Sequence, residues 1–94
     1  MTRPAERPTA ELFQNTPNPF RTETSIGFYL PERMGIVLTV RDITGNVLFQ
    51  QAGEYPKGEN RVLLSRDNLN GAGLLFYQLE TPGGNFVHRM VRVK

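Results

Sequence analysis

The sequence predicts an all-β domain, an antiparallel β-sandwich of about seven strands. Three observations carry this. Apolar residues recur at every second position in several segments, no stretch repeats them at the spacing of an amphipathic helix, and clusters of Gly, Pro, Asn and Asp punctuate the segments. Many short strands separated by turn signals favour a sandwich over a barrel.

Residues 1–11 carry Arg3, Glu6, Arg7 and Glu11 with two prolines and no apolar stretch. They read as a linker or cloning remnant ahead of a domain spanning residues 12–94, with any export signal lying upstream in a longer precursor. The domain opens on Leu12, Phe13, Gln14, Asn15, Thr16, Pro17, Asn18, Pro19 and Phe20. Proline fixes φ near −65° and pushes the residue before it into extended geometry. Thr16 and Asn18 therefore belong to an extended, kinked approach that Phe20 pins to the core.

Thr24, Ile26, Phe28 and Leu30 alternate with Glu23, Ser25, Gly27 and Tyr29, giving a strand with one apolar face that Pro31 closes. Ile36, Leu38 and Val40 alternate in the same way with Val37, Thr39 and Arg41. Asp42, Ile43, Thr44, Gly45 and Asn46 supply residues that tolerate tight turns and positive φ, so a hairpin joins this strand to one starting at Val47. Residues 53–59, with Pro56 and Gly58, read as a loop. Val62 and Leu64 then form a short strand whose other face holds Arg61 and an exposed Leu63.

Residues 67–73 make a turn cluster whose lone apolar side chain, Leu69, plugs the core. A strand over 74–81 follows. Pro82, Gly83, Gly84 and Asn85 are a second hairpin signal leading into a last strand over 86–93.

Ninety-four residues make one small core, able to bury about 60–65% of the surface that the unfolded chain exposes. There is no cysteine, which excludes thiolate catalysis, disulfides and zinc–thiolate sites but leaves the compartment open. The longest apolar runs, such as Leu74, Leu75, Phe76 and Tyr77, fall far short of the ~20 residues of a membrane helix. A net charge of +2 is too small to drive nucleic-acid binding by phosphate neutralisation.

Catalytic readings have little support. His88 is the only histidine, and a serine triad would need it to meet Ser25 or Ser65 and a carboxylate that no spacing brings there. Nothing positions Asp42 and Asp67 as a carboxylate pair. The stretch after Asp67 superficially resembles a calcium loop, but Leu69 stands at the third ligand position. Gly71, Gly73, Gly83 and Gly84 lack the strand-to-helix setting of a phosphate loop and read as turn glycines. The expectation is a non-catalytic module with no cofactor, metal, nucleic acid or small-molecule substrate.

The order and spacing of these segments resemble the type IX secretion system C-terminal sorting domain, type A (the Por secretion system sorting family). That family opens with Leu-x-Gln-Asn-x-Pro-Asn-Pro-Phe, matched here by Leu12, Gln14, Asn15, Pro17, Asn18, Pro19 and Phe20. It continues with Thr-x-Ile-x-Phe-x-Leu-Pro, here Thr24, Ile26, Phe28, Leu30 and Pro31, and with a strand ending in Asp-x-x-Gly, here Asp42 and Gly45. Leu69, Gly73, Leu74, Tyr77, Leu79, Glu80 and Thr81 fit the later series, and Met90, Val91 and Lys94 fit the ending. Arg41 departs from the tyrosine usual before the aspartate.

The resemblance implies an immunoglobulin-like sandwich at the C-terminus of exported proteins of Bacteroidetes-type bacteria. Such a domain directs a covalently linked N-terminal passenger through the outer-membrane translocon, and a sortase-like protease removes it, leaving the passenger released or attached to the surface. It is periplasmic in transit, and its passenger ends secreted or on the cell surface. A folded sandwich can act as an address by offering one shape and one exposed strand edge. Phe86, His88, Arg89, Met90, Arg92 and Lys94 in the last strand are the candidate recognition residues, beside the plainer reading that Met90 and one apolar row are core and the charges a solvated face. Pro17, Asn18, Pro19, Phe20, Asp42, Gly45 and Gly73 read foremost as turn and anchor residues.

Two other classes stay open: a structural immunoglobulin-like module similar to that of the flagellar hook-capping protein, and a carbohydrate-binding sandwich of a secreted hydrolase. The second wants exposed planar aromatics. This chain has no tryptophan, and of Tyr29, Tyr55 and Tyr77 the last lies in a core strand.

Overall fold

The computed structural model describes residues 8–69 and 73–93. Seven strands follow in order: β1 (Glu11–Leu12), β2 (Glu23–Leu30), β3 (Met34–Asp42), β4 (Val47–Tyr55), β5 (Gly58–Ser65), β6 (Gly73–Thr81) and β7 (Gly84–Arg92). One turn of 3₁₀ helix, Arg66–Asn68, precedes β6. Strands β1-β2-β5 make a three-stranded sheet and β4-β3-β6-β7 a four-stranded one, all neighbours antiparallel. The two sheets form an immunoglobulin-like sandwich, as the strand pattern predicts.

Alternation dictates the core. Thr24, Ile26, Phe28 and Leu30 of β2 face Leu38, Val40, Leu75, Tyr77, Leu79 and Met90 of the opposite sheet across a continuous buried layer, with Val62 and Leu64 of β5 beside them. Leu63, between these two, is 63% exposed, and Leu69 closes the layer from the connection as expected. The β3–β4 hairpin also forms where the turn residues predict. Asp42 N–H donates to Asn46 O and Gly45 N–H to Asp42 O, each at 3.0 Å, and Gly45 sits at φ +93°, where a side chain would strain the backbone.

Four expectations change. The loop expected over 53–59 is mostly strand: β4 runs to Tyr55, β5 starts at Gly58, and only Pro56 and Lys57 lie between. Gly53 needs no side chain to hold its place, because ladder pairing to Ile36 supplies it, and Tyr55 packs edge-on against Phe28 with centroids 5.3 Å apart. Ordered structure begins before Leu12: Ala10 is buried, and Glu11 pairs with Tyr29. Thr39, outward by alternation, is fully covered, with Gln50 Nε2 donating to its hydroxyl at 3.1 Å. Tyr29, on the outward row of β2, is also buried. A residue inserted at Leu48 shifts the β3–β4 register, so that Arg41 pairs with Val47.

Candidate functional site

The opening segment, residues 12–20, crosses from one sheet to the other. At its start Leu12 pairs with Phe28, Phe13 N–H donates to Gly27 O at 3.0 Å, and Thr16 exchanges both backbone hydrogen bonds with Ser25 (2.9 and 2.8 Å), so this stretch borders β2. At its end Phe20 forms a parallel bridge with β7, its N–H donating to Val91 O at 3.0 Å and its carbonyl accepting from Val93 N–H at 2.8 Å. The peptide bonds before Pro17 and Pro19 are cis. Phe20 is 2% exposed, so the anchor expected of it is real.

Asn15 is the hub between these ends. It is 3% exposed, and its N–H donates to the Tyr77 hydroxyl at 2.8 Å while that hydroxyl donates to Phe13 O at 2.6 Å. Its Nδ2 donates to Pro17 O (3.1 Å) and to Thr24 Oγ1 (2.9 Å), and its Oδ1 accepts from Gln14 Nε2 at 2.7 Å. Thr24 in turn donates to Pro17 O at 2.8 Å. A buried amide with every group bonded specifies one backbone path, because any other strands a donor or acceptor out of water. Burial pushes the Tyr77 phenol up to about 12. The sequence reading missed Asn15 as a buried residue; its only trace was an asparagine between a strand-like Leu12 and a proline.

The same segment also covers the edge of β7. Gln14 Nε2 donates to Arg89 O (2.7 Å), and Asn18 Oδ1 accepts from Val91 N–H (2.9 Å). His88 Nε2 lies 2.8 Å from Leu12 O. A carbonyl can only accept, so Nε2–H is the donor in this contact. The ring also stacks on Tyr77, with centroids 5.8 Å apart. The exposed edge expected at the last strand is thus occupied from Arg89 to Val93 by the protein's own chain.

Pleating divides the candidate recognition residues. Tyr77 pairs with His88 and Leu75 with Met90, which turns Phe86, His88, Met90 and Arg92 toward the core side. Met90 is fully buried, which removes it from any outer contact, and Phe86 is half-buried against the core. Of this set Arg89 alone is exposed on the outer face, and Lys94 lies outside the described residues. The outward row is Asn85, Val87, Arg89 and Val91, of which the sequence reading named only Arg89.

On β6 the partners of that row are Glu80, Gln78, Phe76 and Leu74. Together with Gln14 and Asn18 these strands enclose a shallow cleft of about 480 Å³ lined by Leu74, Phe76, Val87, Arg89 and Val91.

The remaining turn residues behave as turn formers. Asp42 Oδ1 accepts from Thr44 N–H (2.9 Å), Thr44 Oγ1 (2.7 Å) and Asn46 N–H (3.0 Å), and hydrogen bonding, led by the Thr44 hydroxyl, holds its carboxyl below the usual carboxylate range. Gly73 opens β6 at φ +109°. Tyr29 and Tyr77 are buried and Tyr55 is packed on Phe28, so none of the tyrosines forms a flat exposed platform. Among the described residues no three His, Asp or Glu side chains gather as a metal site, and no helix is long and apolar enough to cross a membrane.

These features define a class, a small immunoglobulin-like module whose opening segment ties its two sheets together. No protein-family model matches the chain, and no curated protein matches it.

Proposed function

We propose that this chain is a non-catalytic C-terminal sorting domain of the type IX secretion system, which carries an N-terminal passenger across the outer membrane. The observation that supports this reading best is the division of labour within the Leu12-to-Phe20 motif. Leu12, Asn15 and Phe20 are buried, Gln14 and Asn18 bond the β7 backbone, and Pro17 O accepts from Asn15 and Thr24, so most residues that match the family take part in holding the sheets together, alongside the backbone bonds of Phe13 and Thr16. A motif that maintains a shape suits a module recognised by shape. His88, which a triad would need free, is committed to Leu12 O and Tyr77, which favours the non-catalytic reading. The proposed partners are the translocon, the passenger and a sortase-like protease.

The test is a fusion of residues 1–94 behind a periplasmic reporter in a type IX-competent host. Reporter outside the cell or on its surface is the expected result. A folded fusion that stays in the periplasm refutes the assignment.

A further inference from the structure

The solvent face of an antiparallel sheet normally carries polar side chains at its outward positions. On the outer face of β6 and β7 the cross-strand rows instead read Leu74 opposite Val91, Phe76 opposite Arg89, and Gln78 opposite Val87. Val87 is 60% exposed and Leu74 37%, although strand pairing leaves room for polar residues at both. Leu74, Phe76 and Val91 adjoin one another across the two strands and Val87 reaches Phe76 along the diagonal, so the four form one patch rather than scattered exposed residues.

Charge narrows the partner. Phe76 pairs with Arg41 on β3 as well as with Arg89 on β7, so two arginine positions stand on either side of it in one cross-strand row about 10 Å wide. Arg41 Nη1 donates to the neutral Gln78 Oε1 at 3.0 Å, and among the described residues neither arginine pairs with a carboxylate. The acidic residue on this face of β6, Glu80, belongs to another row, opposite Val37 and Asn85.

We propose that Leu74, Phe76, Val87 and Val91, with Arg41 and Arg89, form a docking surface for an apolar protein patch bearing carboxylates. This rests on the sorting reading and names the surface that the export machinery takes hold of. A second copy of the chain is a poor occupant, because a two-fold contact through this face would set arginine against arginine. Two cations are also too few to hold nucleic acid by phosphate neutralisation. Gln14 and Asn18, bonded to the β7 backbone, wall the cleft, so the opening motif keeps this surface in shape.

The test uses the reporter fusion carrying Val87→Glu with Arg89→Glu, and a milder pair, Val87→Ser with Arg89→Gln. The control is Leu63→Glu with Arg61→Glu on the outer face of the other sheet, where Leu63 is equally exposed. Circular dichroism checks that each fusion is folded. Export falling at least tenfold in the charge-reversed pair and severalfold in the milder pair, with the control near wild type, is the expected result. Export at the wild-type level in both β7 pairs overturns the proposal, and so does equal loss in the control. Sedimentation equilibrium of the isolated chain supplies another arm: micromolar self-association abolished by the β7 pair would identify the face as a self-interface and overturn it as well. A wild-type fusion that is not exported fails at the earlier step, refuting the sorting reading itself.

Discussion

Replacing Tyr77 by phenylalanine removes one oxygen and leaves the ring to fill its place in the core. The hydroxyl accepts from Asn15 N–H and donates to Phe13 O, tying β6 to the opening segment. Each such hydrogen bond contributes about 1 kcal/mol net, and leaving the buried Asn15 N–H without a partner adds its desolvation cost, for a total of about 2–4 kcal/mol. A domain of this length has on the order of 5–14 kcal/mol of stability in all, so the loss is a large fraction of it. At ~4–8 °C per kcal/mol, the melting temperature should fall by roughly 8–32 °C. Urea unfolding followed by circular dichroism measures the change at constant m, and hydrogen exchange should show the amides of Asn15 and Thr16 losing protection first. A loss under ~0.5 kcal/mol with those amides still protected would refute the bridge, since the stranded groups would have found other partners.

Three further outcomes can be checked together. Phe20→Ala should cost about 3–4 kcal/mol in the same melts, because a 2%-exposed ring leaves a cavity between the sheets. The phenol of Tyr77 has a folded pKa raised above its ordinary value of 10, so its contribution is complete below pH ~10 and is lost as pH climbs toward about 12; Tyr77→Phe should remove that part of the alkaline slope. Asp42 behaves in the opposite sense: its folded pKa lies below 3.8, so its contribution is present above that pH and disappears as pH falls through the lower value. Asp42→Asn should therefore flatten the stability profile on the acid side, and an unchanged slope in acid titrations would rule out the turn as its source.

Local patterns announced much of the sandwich. The inward faces of β2 and β3 and the plug at Leu69 follow from period-two alternation and an isolated apolar residue in a turn, and both hairpins lie where Asp, Asn and Gly permit positive φ. What stayed hidden depends on partners far away in the chain. Asn15 is buried because of a hydroxyl 62 residues later, and Thr39 because Gln50 folds over it from the neighbouring strand. The candidate surface suffered most: a list drawn from the last strand mixed its two faces, since charge suggested Arg89 and Arg92 together although pleating sends them opposite ways. Val87 and Val91, hydrophobic and so easily taken for core, turned out to lie on the outer face.

The tie between the opening segment and β7 also sets a clock. Asn18 and Val91 are 73 residues apart, and Leu12 and His88 are 76. A ribosome adding about 5–20 residues per second needs roughly 4–15 s to cover that span. Hairpins form in microseconds, so β3 and β4 can pair as they emerge. Phe20 must wait for Val91 and Val93. Until the last strand has been made, Phe20 therefore lacks the backbone partners that its bridge to β7 needs.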